Sequence, residues 1–353
     1  MWNRIPARDI FDQLRQDLKG KDAYRGVTLS YAWLANQFGH FALGFIPATV
    51  GYLLFSNHRK DNWLASLPAL AVWALWMMFE LWNFISSVNK QGKHPVVEKT
   101  GTNIFYHARR WHFWGDLFTD IGFFGLGALL AYVAFAQSLW GVMAAIAVAC
   151  FLAFASYYWY GAKIYLQRAQ YPFQFRLSQW NRDMSQANKD AINQFMEAEF
   201  SGMQLLVLGE DDDEKIKLCV GIGSEISYGQ KKCRYLTAMK AFECFCREEA
   251  KEAADSEKFT WNWQEAALLI IDDINPSHAK LREFITPADF LSMIDQYEGE
   301  RNRKLLREKK VIWMLGNETP DGAEQRGWEE MLVSIGVSRD NIRTVNLSDG
   351  FPS

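Results

Sequence analysis

Five ionisable side chains fall inside or at the edge of stretches otherwise suited to lipid: His40, Glu80, His112, Asp116 and Asp120. A charge in hydrocarbon is costly, so each of these residues needs a partner or a task. Their spacing is regular. His112, Asp116 and Asp120 follow at four-residue steps on one helical face, and the pairs Asn36 with His40 and Glu80 with Asn83 are each one turn apart. At the rise of an α-helix, all lie within roughly 15 Å of one membrane boundary. Imidazoles and carboxylates at one depth could bind a divalent metal, pass protons or line a cation path. The same residues, with Asn36 and Asn83, would equally serve as interhelical hydrogen bonds holding a bundle together.

A second group lies in the carboxyl-terminal half. The run from Lys215 to Ile222 reads as a strand that feeds a glycine turn holding Gly223, Gly229, Lys231 and Lys232, followed by a helix through about Glu249. Such glycines let backbone amides close on a phosphate, a helix amino terminus adds partial positive charge, and a lysine reaches the outer phosphates. The usual form ends in Gly-Lys and a hydroxyl residue, whereas here Gln230 precedes Lys231 and no Ser or Thr follows directly. Another strand, Leu268 to Ile271, ends in Asp272-Asp273, a pair suited to magnesium and an attacking water. A third, Val311 to Leu315, runs into Gly316-Asn317 and sets an amide at a strand end. Ligands of open α/β sheets bind beyond the carboxyl ends of the strands. As plain architecture, the glycines would make a tight turn and the acids would cap a helix.

Taken in order, residues 200–347 resemble a divergent P-loop NTPase domain of the AAA or STAND kind. The resemblance implies ATP or GTP with magnesium as ligand, and weak hydrolysis at most. It would place Gly223, Gly229, Lys231 and Lys232 about the phosphates, Asp272 and Asp273 on metal and water as the catalytic pair, and Asn317 as a sensor of the outer phosphate.

These residues must be held by elements of two kinds. From Gly26 to Asn57 there is no Lys, Arg, Asp or Glu, from Trp63 to Asn89 only Glu80, and from Ile121 to Ala162 none. A soluble helix shows a polar face every turn, and these stretches do not. Crossing the hydrocarbon takes about 20 residues. The last stretch holds two crossings, divided at Ala136-Gln137-Ser138, so four transmembrane helices are predicted over about 28–56, 63–87, 113–135 and 139–162. Residues 1–27 form a basic amino-terminal segment with an amphipathic helix from Asp9 to Leu18, 28–166 the membrane domain, 167–195 a juxtamembrane linker and 196–353 an α/β domain. In that domain, Met203–Leu208, Ile216–Ile222, Ala266–Ile271, Val311–Leu315 and Ile342–Val345 read as strands between helices, hence a mostly parallel sheet.

Arg4, Arg8, Arg15, Lys19, Lys21 and Arg25 precede the first span, and Lys90, Lys93, Lys99, Arg109 and Arg110 join the second to the third. The positive-inside rule then puts both termini in the cytosol, with the bundle in the plasma or inner membrane. The net charge of −3 gives no sign of a nucleic-acid partner, and the five cysteines show no zinc or disulfide spacing. The expected partners are a lipid bilayer, a nucleotide and further copies of the chain. The expected function is a multi-pass membrane switch or effector whose α/β domain binds a nucleotide and regulates the bundle. Two alternatives stand beside it: an enzyme or ion conductor that uses the intramembrane cluster, and a pseudo-NTPase scaffold.

Overall fold

The structure, a computed structural model, describes residues 5–19, 28–55, 66–92, 110–180, 182, 184–198, 202–246, 260–274, 285–317 and 322–350. The chain divides into two compact units, the second running from Tyr165 to the carboxyl terminus.

The first unit contains a short helix, α1 (Ala7–Leu18), and four long ones: α2 (Leu29–Phe55), α3 (Leu67–Gly92), α4 (Arg110–Ala136) and α5 (Leu139–Arg168). Among the described residues four helices are long and apolar enough to cross a membrane, with mean hydropathy from 1.4 to 2.2. The predicted start of the second span at residue 63 lies outside the described residues. Without a hydrophobic drive between helices in lipid, close backbone approach and interhelical hydrogen bonds decide the packing. Glycine supplies the approach: a Cβ on Gly44 of α2 would lie 2.1 Å from the Phe124 carbonyl oxygen of α4, and one on Gly127 of α4 would lie 2.1 Å from that of Phe41. Tryptophans tie α3 to both, because Trp76 Nε1 donates to the Leu43 carbonyl at 2.9 Å and Trp73 Nε1 to that of Ile121 at 3.2 Å.

The second unit is an α/β domain. After α6 (Gln186–Glu197) come β1 (Gln204–Leu208), α7 (Asp212–Tyr228), β2 (Cys233–Thr237), α8 (Ala238–Phe245), β3 (Leu268–Asp272), α9 (Pro287–Asp295), α10 (Gly299–Glu308), β4 (Lys310–Met314), α11 (Ala323–Ser334) and β5 (Ile342–Asn346). The strands form one parallel sheet in the order β2-β3-β4-β1-β5. Alternate residues serve two cores. Leu206, Leu269, Val311 and Trp313 point to one that includes Phe245, Phe290 and Trp328. Leu205, Val207, Ile270 and Ile312 point to the other, which includes Ile192, Phe195, Leu218 and Ile222.

Two differences from the sequence reading matter for the site. The run Lys215–Ile222, expected as a strand, is the middle of α7, and the helix expected after it begins with β2 instead. Short apolar runs fit either element, and here a stop-start signal decides: the Asp211 side chain accepts from the Glu214 amide at 3.2 Å and caps a helix amino terminus. The stretch 167–195, expected as a linker, contains most of α6, whose Ala191, Ile192 and Phe195 are buried beneath the sheet.

Candidate functional site

The carboxyl ends of β1, β3 and β4 converge. Gly209, the residue after β1, donates its amide to the Gly316 carbonyl at 3.3 Å, and the Leu315 amide donates to Val207 at 2.9 Å. Asp272 and Asp273 close β3 beside them. The Tyr235 hydroxyl of β2 donates to Asp272 Oδ2, and the Asp273 amide donates to Asp272 Oδ1 at 2.6 Å. Asp273 is left-handed, with φ 58°, a conformation that aspartate tolerates better than most residues. Burial, then the charges of Asp272 and Asp212, hold its carboxyl above the usual range. Burial and the same Asp272 push the Tyr235 phenol upward. Asn317 follows β4, exposed, as expected from its place in the sequence.

The turn from β1 into α7 reads Gly209-Glu-Asp-Asp-Asp-Glu-Lys215-Ile216. Gly209 and Lys215 have the separation of the outer glycine and the lysine in GxxxxGK, with Glu214 where the second glycine would stand and Ile216 where the hydroxyl would stand. The sequence reading missed this turn, although the spacing directly after an apolar strand was the available signal. Lys215 is 2% exposed. Its Nζ donates to the Leu315 carbonyl at 2.6 Å and lies 2.8 Å from Asp212 Oδ1. Arg182 pairs with Asp211 at 3.4 Å and with Glu214 at 3.3 Å, and Lys217 pairs with Glu214 at 2.8 Å. Asp211, Asp212 and Glu214 of the turn are thus met by cations of the same domain, and one amide of the helix terminus is met by its own cap. A phosphate entering here would meet carboxylates beside the helix terminus.

The glycines and lysines that the resemblance implies for phosphate lie in other parts of the domain. Gly223 is inside α7 and Gly229 is its C-cap, so neither opens a helix. Gly223 is needed for packing, since a Cβ there would lie 2.6 Å from the Tyr171 hydroxyl oxygen. Lys231 and Lys232 precede β2, at the opposite end of the sheet from Asp272, about 16 to 20 Å away at the rise of a strand. Lys232 Nζ pairs there with Glu265 at 2.5 Å and sits 5.2 Å from the Trp261 ring centre. The acidic pair and Asn317 therefore share the carboxyl end of the sheet with Lys215, and Gly223, Gly229, Lys231 and Lys232 do not.

In the bundle, Asp120 of α4 meets two residues of α2. Gln37 Nε2 donates to its Oδ1 at 3.0 Å, and His40 Nδ1 approaches the same oxygen at 3.1 Å as an ion-pair contact without hydrogen-bond alignment. The His40 ring stacks on Phe124 at 4.7 Å, and Trp76 stacks on Phe124 at 4.9 Å. Glu80 and Asp116 lie within electrostatic reach of His40, and Lys163 of α5 within reach of Asp116. Asn36 and Asn83 are exposed on their helices. His112 belongs to α4, but its side chain lies outside the described residues. Among the described residues no three His, Cys, Asp or Glu side chains gather as ligands for a metal ion.

The class that these features define is a chain of four membrane-length apolar helices joined to a parallel α/β domain. Comparison with protein-family models finds no match, and no curated protein matches the chain.

Proposed function

We propose that this chain is a multi-pass membrane regulator or scaffold whose α/β domain is a P-loop-like module that does not hydrolyse nucleotide. The observation that carries the reading is Lys215, held by Asp212 at 2.8 Å and by the Leu315 carbonyl at 2.6 Å at the head of β1. The strand order supports the resemblance to P-loop NTPases, because it brings together the ends of β1, β3 and β4, where such a fold keeps its phosphate turn, acidic pair and polar sensor. The acidic turn argues against polyphosphate. Carboxylates Glu210, Asp211, Asp212, Asp213 and Glu214 crowd the place where an anion would sit. An anion entering among these carboxylates is opposed by their like charge.

The domain is then a fold whose catalytic equipment is spent on its own stability, and whose remaining use is to carry contacts or shape changes to the membrane helices. The test is an equilibrium titration of the purified full chain in detergent with MgATP and MgGTP, together with a phosphate-release assay. No saturable binding and no turnover are expected. Tight, magnesium-dependent binding that disappears in Lys215→Ala would overturn the reading.

A second reading has its own observation, the His40 and Asp120 contact at 3.1 Å within the bundle. It gives the four helices a proton-binding pair, and it predicts proton flux in liposomes that Asp120→Asn abolishes.

A further inference from the structure

We propose that α1 is an interfacial helix that binds the phosphate headgroups of an anionic lipid leaflet. The helix uses one face to dock on the bundle. Asp17, 1% exposed, accepts from Tyr160 Oη at 2.5 Å, Ser30 Oγ at 2.8 Å and Gln13 Nε2 at 2.7 Å. Ile10 is buried on the same face, and its Cδ1 is the nearest side-chain atom to the open side of Gly161.

These partners fix the depth of α1. Ser30 is at the start of α2, and Tyr160 is near the end of α5 in the aromatic run Tyr157-Tyr158-Trp159-Tyr160. With four crossings between them, the start of α2 and the end of α5 lie on one side of the bundle, at the level where aromatic residues mark the headgroup boundary. A helix held at that level by its polar face has lipid within reach of its other flank.

That flank is built for it. Phe11 and Leu18 are each 64% exposed, and at seven residues apart they line one stripe with the half-buried Leu14. Arg8, Arg15 and Lys19 lie within roughly 80° of that stripe at 100° per residue. All three are exposed, and among the described residues Arg8 makes a 3.8 Å surface contact with Asp12. Apolar side chains entering the acyl boundary, with cations on long stems at its edge, are what an anionic interface holds best. Water would leave Phe11 and Leu18 unburied, and a zwitterionic headgroup layer, whose phosphates are offset by choline, attracts the cations less than a net-anionic one.

The experiment is hydrogen exchange of residues 7–18 in the full chain, in nanodiscs of phosphatidylcholine alone and of phosphatidylcholine mixed with phosphatidylglycerol. Exchange is expected to be about tenfold slower in the anionic discs, since each basic residue near such a surface gains on the order of 1 kcal/mol, itself several-fold in an equilibrium. Arg8→Gln, Arg15→Gln and Lys19→Gln combined should remove the difference while leaving exchange in neutral discs unchanged, because all three are surface residues. Equal exchange in the two lipids would overturn the proposal. So would a lipid difference that survives the triple substitution, or protection that follows protein concentration and thus a second copy of the chain.

Discussion

The Lys215 ammonium donates to the Leu315 carbonyl at 2.6 Å, tying the first turn of α7 to the end of β4. The same ammonium offsets Asp212, which is about one-quarter exposed. Removing one partner of such a pair leaves the other without its counter-charge. Lys215→Met is expected to destabilise the α/β domain by roughly 2 to 4 kcal/mol, and adding Asp212→Asn should recover part of that loss. Urea unfolding followed by the buried Trp313 and Trp328 reads both. A single substitution without cost would mean that the pair carries no weight.

Gly223 and Lys231 separate the packing account from the phosphate account. In Gly223→Ala the new methyl meets the Tyr171 hydroxyl, so a loss of about 1 to 3 kcal/mol is expected from overpacking. Lys231→Ala, at the other end of the sheet from Asp272, should leave the behaviour toward nucleotides as it is in the native chain. A nucleotide affinity that either substitution weakens tenfold would restore the glycine turn as a phosphate site.

In the bundle, Gly127→Ala should be far more damaging than Gly39→Ala. The first adds a methyl 2.1 Å from the Phe41 carbonyl oxygen, whereas among the described residues nothing outside the local backbone of α2 lies within 4 Å of the second. Backbones that approach through small residues cannot part without losing the contacts that associate helices in lipid. Thermal melting in detergent should show a large drop for Gly127→Ala and almost none for Gly39→Ala. Equal drops would mean that α2 and α4 do not approach through these glycines.

Lys309 and Lys310 give the α/β domain an alkaline pH dependence. Burial lowers each ammonium from 10.5 to about 8, and Lys231 adds to the effect on Lys310. Below about pH 8 both are charged whether folded or unfolded, and they give no slope. Between about 8 and 10.5 the folded chain has released protons that the unfolded chain keeps, so this contribution to stability rises with pH, by up to about 1.4 kcal/mol per unit for each lysine. Cys233, which burial raises from 9.0 to about 11, acts in the opposite sense as pH climbs. The clean readout is therefore the difference between the native chain and Lys310→Met. That difference should grow in favour of the native chain between pH 8 and 10, and a flat difference would contradict the shift.

Much of the architecture was legible in the sequence because its cause is local. Uncharged runs of membrane length need no distant partner to be recognised, and the helices Leu29–Phe55, Arg110–Ala136 and Leu139–Arg168 follow the predicted spans closely. Four of the five predicted strands match β1, β3, β4 and β5 to within about two residues, since buried parallel strands read as short apolar runs. The acidic ending of β3 was legible for the same reason. The run Ile216–Ile222 was not, because its composition fits a buried helix as well as a strand, and only the cap at Asp211 and the face turned to Leu177 and Tyr171 make it α7.

The sequence by itself settled which segments are apolar enough for lipid and where most strands fall, because burial preference is written into each short stretch. Tertiary structure alone decided that Lys215 joins Leu315 and Asp212 beside Asp272, while Lys231 and Lys232 stand at the far end of the sheet. Strand order and direction bring together residues a hundred positions apart, and no local pattern of side chains specifies that order.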